Sequence, residues 1–192
     1  KIKINMTYTQ QTLIFEQDRI YFLNPYEKEE EVMMDWEDDL MSASAAYVTQ
    51  NGGDILEIGF GMGISANYIQ SHVINSHTIV ENHPAIIPKA LAWASDKPNV
   101  TIVEGNWFDV KDSLSTYDGL FADTYGDEHI QYFPSSLTQL MNLNGVATWW
   151  NALPTPSNAF GIDGVEYQEF SINPPKNTYF NHTKYYLPKK QF

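Results

Sequence analysis

The chain has 192 residues, 43% of them hydrophobic, a formal net charge of −13 and no cysteine. That length suits one domain with a substantial core, and the lack of cysteine removes disulfides and thiolate metal sites and fits a reducing compartment. With 11 Lys and Arg against 24 Asp and Glu, a nucleic-acid partner is disfavoured, since phosphate binding relies on clustered cations. No apolar run approaches the ~20 residues that cross a bilayer, and the polar start Lys1–Gln11 does not form a signal peptide. A cytoplasmic enzyme without a membrane partner fits best, its acidic field serving solubility or the approach of cations.

Thr12–Phe15 and Arg19–Leu23 are β-prone runs joined by Glu16-Gln17-Asp18, the pattern of a hairpin closed by Asn24-Pro25. The acidic run Glu27–Glu31 leads into a predicted helix over about Val32–Gln50. On that helix Met33, Glu37 and Leu40 or Met41 recur at three- and four-residue steps, so one carboxylate shares a face with apolar side chains and needs a partner. Residues 1–50 thus form a hairpin-and-helix extension, and residues 51–192 carry the rest of a single domain.

The chain is organised around Asp54-Ile-Leu-Glu-Ile-Gly-Phe-Gly-Met-Gly-Ile-Ser-Ala66. Ile55, Leu56 and Ile58 suit a strand buried on both faces, and Gly59, Gly61 and Gly63 follow where it must turn into a helix. Glycines at alternate positions let a ligand approach the backbone. A dinucleotide fingerprint has its third glycine one residue later, where Ile64 stands, and Glu57 precedes the first glycine by two residues. The pattern is E-x-G-x-G-x-G.

Downstream, His77–Val80 reads as a second strand ending in Glu81, where a carboxylate can accept from ribose hydroxyls. Pro84–Ala94 is a predicted helix with Ile86, Ile87 and Leu91 inward. Val100–Val103 is the third strand, followed by Glu104-Gly-Asn-Trp107, whose Trp107 suits either an adenine wall or the core. Gly119–Ala122 is the fourth strand, with Asp123-Thr-Tyr125 at its exit. His129–Leu140 is a helix, and Val146–Trp150 is the fifth strand after the Asn144-Gly145 turn. The alternation implies a doubly wound sheet with its crevice at the carboxyl ends of the strands.

Asn151–Gly164, broken by prolines and glycines, suits a rim or lid. Val165–Ile172 and Thr178–Leu187 read as a hairpin around Asn173-Pro-Pro-Lys176. His72, His77, His83, His129 and His182 lack metal-ligand spacing, so no metal site is expected. The Asn5, Asn99 and Asn181 glycosylation triplets mean little without a secretory signal. The aromatic tail Tyr179–Tyr186 reads as sheet core, or as support for homodimer contacts.

Taken together, Val32-Met-Met-Asp-Trp-Glu37, Leu56-Glu-Ile-Gly-Phe-Gly-Met62, Glu104-Gly-Asn-Trp107 with Asp109-Val110, Tyr117-Asp-Gly119 and Asp123-Thr-Tyr125 resemble the guanidinoacetate N-methyltransferases and the related arginine δ-N-methyltransferases. The glycine turn looks like motif I of methyltransferases dependent on S-adenosyl-L-methionine (SAM). The resemblance covers about Val32–Leu187 and implies a Rossmann-like class I methyltransferase fold of the α/β class: a mostly parallel sheet, an antiparallel C-terminal hairpin and the N-terminal extension. It implies SAM as cofactor, S-adenosyl-L-homocysteine as product, and a small guanidino molecule as acceptor.

The resemblance further implies that Glu37 and Asp123 hold the guanidino group. A free guanidinium has a pKa above ~12, so its nitrogens carry no available lone pair at neutral pH. One carboxylate can orient the plane by forked hydrogen bonds while a second accepts the proton as the N–C bond forms; Asp123 is assigned as acceptor and Glu37 as orienter. Cofactor contacts carried over from the family are Met33, Met41, Glu57, Gly59, Phe60, Gly61, Met62, Gly63, Ile64, Ser65, Glu81, Trp107, Phe108 and Asp123. Backbone at Ala152 and Leu153 would meet the acceptor's carboxylate end. The sequence departs from the family at Pro154, which has no amide donor, in the missing helix after the fifth strand, and in Asp38 and Asp39 beside Glu37. The alternatives are a protein arginine methyltransferase and a SAM-binding protein without turnover.

Overall fold

The glycine-rich turn lies at the carboxyl end of the middle one of five parallel strands in a seven-stranded sheet. In a computed structural model, which describes residues 6–192, that strand is β4 (Asp54–Ile58). Parallel neighbours flank it: β5 (Ser76–Glu81) and β6 (Val100–Glu104) on one side, β7 (Tyr117–Ala122) and β8 (Met141–Trp149) on the other. Beyond β8 come β10 (Lys184–Gln191) and β9 (Val165–Ser171), both antiparallel, giving the order β6-β5-β4-β7-β8-β10-β9. The chain leaves β4 toward β5 and later returns to its other side as β7, so the order reverses at β4. Such a switch point opens a crevice at the carboxyl ends of the strands.

Alternation along β4 explains why it is buried on both faces. Leu56 and Ile58 join Leu120, Ala122, Phe133, Leu137 and Leu140, from β7 and the helix α5 (Phe133–Leu140). Ile55 turns to the opposite cluster with Leu40, Met41, Ala45 and Val48 of the helix α1 (Asp38–Val48). A third cluster joins Ile20 and Phe22 to Phe60, Ile79, Ile86 and Ala90, which fastens a small N-terminal sheet over α2 (Ile64–Gln70) and α3 (Ile87–Ala94). The short α4 (Trp107–Val110) is capped by the Asn106 side chain, which accepts from Phe108 N at 2.9 Å. No helix among the described residues is long and apolar enough to cross a membrane.

The expected N-terminal hairpin forms, as β1 (Ile14–Phe15) and β2 (Arg19–Leu23). The predicted helix over Val32–Gln50 does not begin where expected. Residues Glu29–Met34 are strand β3, paired antiparallel with β2, then a 3-10 turn spans Asp35–Glu37 before α1. The acidic run is held as strand by partners distant in sequence: Arg19 reaches Glu16 and Glu29 at 2.7 Å and Glu31 at 3.4 Å. Met33 therefore lies on a strand, and only Glu37, Leu40 and Met41 of the expected stripe share the start of α1.

Other corrections are smaller. Leu91 is 45% exposed; Ala90 is the inward residue of α3. Helix α5 starts at Phe133 rather than His129, after a 3-10 turn at Ile130–Tyr132. The Asn144-Gly145 turn is an excursion inside β8, held by Phe192, whose N–H donates to Gly145 O and whose carbonyl accepts from Asn144 N, each at 2.9 Å. The last strand is shifted along the chain: β10 starts at Lys184, and Thr178–Thr183 belong to the connection. Asn177 organises that connection by accepting from Tyr179 N and Phe180 N, while Thr178 donates from N and Oγ1 to Glu31 Oε2 at 3.0 and 2.6 Å. Residues 1–5, the first part of Lys1–Gln11 together with Asn5 of its triplet, lie outside the described residues.

Candidate active site

Hydrogen bonds across the carboxyl ends of the strands align the functional segments. Gly59 N donates to Val80 O at 2.8 Å, Asp123 N to Ile58 O at 2.9 Å, Gly105 N to Glu81 O at 2.9 Å and Trp150 N to Ala122 O at 2.9 Å. The exits of β4, β5 and β7 thus face one crevice, with the turn after β6 joining them. Gly59 has φ +93° and approaches so closely that an added Cβ would lie 2.1 Å from the Asp123 carbonyl oxygen; a Cβ at Gly61 would lie 2.5 Å from Met33 Sδ. Met33 Sδ also accepts from Met62 N at 3.3 Å. The glycines are thus needed for the packing of the turn itself.

Of the residues expected at a cofactor, Met33, Gly59, Phe60, Gly61, Ser65, Glu81, Trp107 and Asp123 line this crevice, together with Tyr8, Asn82, Asn106 and Tyr125. Met41, Glu57, Met62, Gly63, Ile64 and Phe108 are not in its wall. Met41 is buried under α1, and Phe108 stacks on His129 and Tyr132 with centroids 4.8 and 4.7 Å apart. Glu57 is fully buried behind the turn; Ser65 Oγ donates to its Oε1, and His77 Nε2 lies 2.9 Å from Oε2. Glu81 Oε2 accepts from Phe60 N at 2.9 Å, and its Oε1 from Asn82 N and His83 N at 2.9 and 2.8 Å. Burial raises the Glu81 pKa above the ordinary carboxylate value. Trp107 is 3% exposed and belongs to core and crevice at once; its Nε1 donates to Asp127 Oδ2 at 2.6 Å.

Glu37 is 2% exposed. Its Oε1 accepts from Met34 N at 3.2 Å and from the Tyr179 hydroxyl. Desolvation raises its pKa, and the charge of Asp123 raises it further. The pKa of Asp123 is likewise raised, by desolvation first and by the charge of Glu57 second. Glu37 therefore feels the charge of Asp123, from a segment far away in sequence, and among the described residues neither acid has an ion-pair partner. Around Glu37 stand aromatic rings: Trp36 stacks on Tyr179 with centroids 6.1 Å apart, and Trp150 lies 5.0 Å from Tyr185 and 6.1 Å from Tyr179. Sequence reasoning did not assign Tyr8, Tyr125, Trp36, Trp150 or Tyr179 to the site; the W-E and D-T-Y elements held the signal for Trp36 and Tyr125.

Ala152 and Leu153 line a second cavity, of about 270 Å³, between the exits of β7 and β8 and the segment 151–164. It shares Ile58, Trp107, Thr124 and Asp127 with the first crevice.

The sheet order, the reversal at β4, the glycine turn and the antiparallel final hairpin define the Rossmann-like class I methyltransferase fold. Spermidine synthase from Thermotoga maritima superposes with a TM-score of 0.65 at 11% identity, covering 94% of this chain and 72% of that one. The N-methyltransferase NodS from Bradyrhizobium japonicum, in complex with S-adenosyl-L-homocysteine, gives 0.64 at 11% identity over 81% and 87%. The family model for guanidinoacetate N-methyltransferase matches residues 27–154, and the chain belongs to that family. Protein arginine N-methyltransferase 2 of Kluyveromyces lactis is 29% identical over 225 residues, covering all of this chain and 52% of the relative. That of Aspergillus oryzae is 32% identical over 160 residues, covering 78% of this chain and 37% of the relative. The chain spans about half, or less, of the length of these relatives.

Proposed function

We propose that the protein transfers the methyl group of SAM to a nitrogen of a guanidino group, with a free small molecule as the first reading of the acceptor and an arginine side chain of a protein as the second. The observation that carries this reading is that Asp123 lines the first crevice and its charge raises the pKa of the buried Glu37, while neither cavity is lined by a Lys or Arg among the described residues. An anionic, aromatic-walled hole is complementary to a planar cation.

The residues present fit SAM. Gly59 and Gly61 have the positive φ and close packing of a cradle, Glu81 stands at its rim with lone-pair capacity beyond the three backbone donors, and Trp107 supplies an apolar wall. When bound, SAM supplies an electrophilic methyl group on a sulfonium. Glu37, steadied by Met34 N and Tyr179, would orient the guanidinium plane, and Asp123 would take the proton that the reacting nitrogen loses. Its raised pKa suits that role, because a base tuned toward neutrality accepts the proton more strongly than an ordinary carboxylate and still sheds it near neutral pH.

The second reading is favoured by the relatives named protein arginine N-methyltransferase 2. Incubation with SAM and a panel of guanidinoacetate, arginine and arginine-containing peptides tests both. Methylated product that disappears in Asp123→Asn is expected. Bound SAM with no methylation of any guanidine would instead identify a cofactor-binding protein without turnover.

A further inference from the structure

The second cavity bears on what the acceptor carries beyond its guanidinium. Its walls are mainly Trp107, Phe133, Trp149, Trp150, Leu153 and Phe160. Asp127 is its one ionisable lining side chain, and that carboxylate is already occupied: Trp107 Nε1 donates to it at 2.6 Å, Thr124 Oγ1 at 3.3 Å and His129 N at 2.8 Å. Among the described residues no cation lines the cavity.

Backbone donors are scarce as well. A carboxylate on the acceptor would need amides from Asn151–Pro154, the segment that follows β8. The Asn151 amide donates to the Tyr185 hydroxyl at 3.0 Å, and the Leu153 amide donates to Asn151 Oδ1 at 3.1 Å. Pro154 has no N–H. The Asn151 side chain also donates to Thr155 O and Tyr186 O at 3.2 and 2.9 Å, which locks the segment in that arrangement. The Ala152 amide and the Ser157 hydroxyl are left, and a few neutral donors do not offset the desolvation of a carboxylate in an apolar, net-acidic hole.

We infer that the cavity lined by Trp149, Trp150, Leu153 and Phe160, which shares a wall with the carboxylate crevice, is an acceptor subsite for an uncharged apolar group attached near the guanidinium. This rests on the proposed guanidino N-methylation and narrows it. At about 270 Å³ the cavity exceeds the ~150 Å³ of an engineered apolar cavity that holds benzene, so a phenyl- to indole-sized or branched aliphatic group fits. Two sources can present that chemistry: a free aralkyl or alkyl guanidine, or the apolar neighbour of an arginine in a peptide.

The test compares guanidinoacetate, arginine and 2-phenylethylguanidine, and two blocked arginine tripeptides flanked by leucine or by aspartate. Each is measured for kcat/KM at saturating SAM, and by calorimetry for affinity to the protein loaded with S-adenosyl-L-homocysteine. Burying a side chain of this size predicts a preference of about tenfold or more for the apolar member of each set. A preference confined to the free guanidines assigns the subsite to a small molecule, and one confined to the peptides assigns it to a neighbouring residue. Leu153→Arg, at a position 46% exposed, installs the missing cation and should reverse the order toward guanidinoacetate while leaving SAM affinity unchanged. Guanidinoacetate binding as tightly as phenylethylguanidine to the unmodified protein would overturn the inference. If no guanidine is methylated but the affinity order holds, methyl transfer fails and the subsite stands.

Discussion

The Tyr179 hydroxyl donates to Oε1 of Glu37, joining the connection before β10 to the turn before α1. That contact exists because Thr178, one residue earlier, is fastened to Glu31 on β3. The sheet's C-terminal end and the N-terminal extension therefore meet at the carboxylate proposed to orient the acceptor. Tyr179→Phe removes one donor to a buried acid at small steric cost. A hydrogen bond to a charged group is worth about 1.5–3 kcal/mol, so kcat/KM for a guanidino acceptor should fall roughly tenfold or more. SAM affinity, measured by calorimetry, should be unchanged; an equal loss in both would show that Tyr179 supports the fold rather than the acceptor.

Glu37 and Asp123 also make stability depend on pH. Both pKa values are raised in the folded chain by desolvation and like charge. The folded state then holds more protons than the unfolded one in the window above the unfolded values of about 4, so stability falls as pH rises through that window. The contribution is fully present below pH ~4 and is lost by the time pH passes the raised folded values. Urea midpoints from pH 4 to 8 should fall less steeply in Glu37→Gln and Asp123→Asn than in the parent protein. Identical slopes would mean that the two acids titrate normally.

How legible this was in the sequence differs by element. The parallel strands β4 to β8 announce themselves through short apolar runs followed by glycine, asparagine or acid at the turn, most strongly at β4 and β7, where both faces are buried. Strand β3 does not. Glu29, Glu30 and Glu31 read as a solvated helical start, and it is the pairing with β2 together with Arg19 and Thr178, which no local pattern links to them, that holds them as a strand. Glu37 could be singled out as an acid among apolar neighbours, whereas Tyr179 could not, since its place depends on the Asn177 and Glu31 hydrogen bonds. The second cavity was equally hidden: residues 151–164 have no periodicity, and their course is set by Asn151 bonding to Thr155 and Tyr186.

Two glycines separate strain from contact. Gly59 and Gly161 both have positive φ, +93° and +64°, but a Cβ at Gly59 would meet Asp123 O at 2.1 Å while one at Gly161 would meet nothing within 4 Å. Gly161→Ala should cost only the left-handed strain, on the order of 1–2 kcal/mol, and keep activity. Gly59→Ala must move the Asp123 backbone and should lose both stability and methyl transfer. Thermal unfolding and a methylation assay on the pair distinguish the two effects, and similar behaviour of both variants would remove the argument for close packing at the turn.

Tuning of Asp123 from behind the glycine turn gives a further test. Glu57 is fully buried, and its charge is the second cause, after desolvation, of the raised Asp123 pKa. Glu57→Gln keeps the shape and the acceptor for Ser65 Oγ but removes that charge. Asp123 should then ionise at lower pH, and the acidic limb of the kcat profile should move down the pH scale, since that limb reports the group that must be deprotonated in the bound complex. A structural role alone would lower kcat at every pH without moving the limb. Introducing Glu57→Gln together with Asp123→Asn should abolish the shift, because the group that senses the charge has gone. A limb that stays in place in Glu57→Gln would show that a residue other than Asp123 takes the proton.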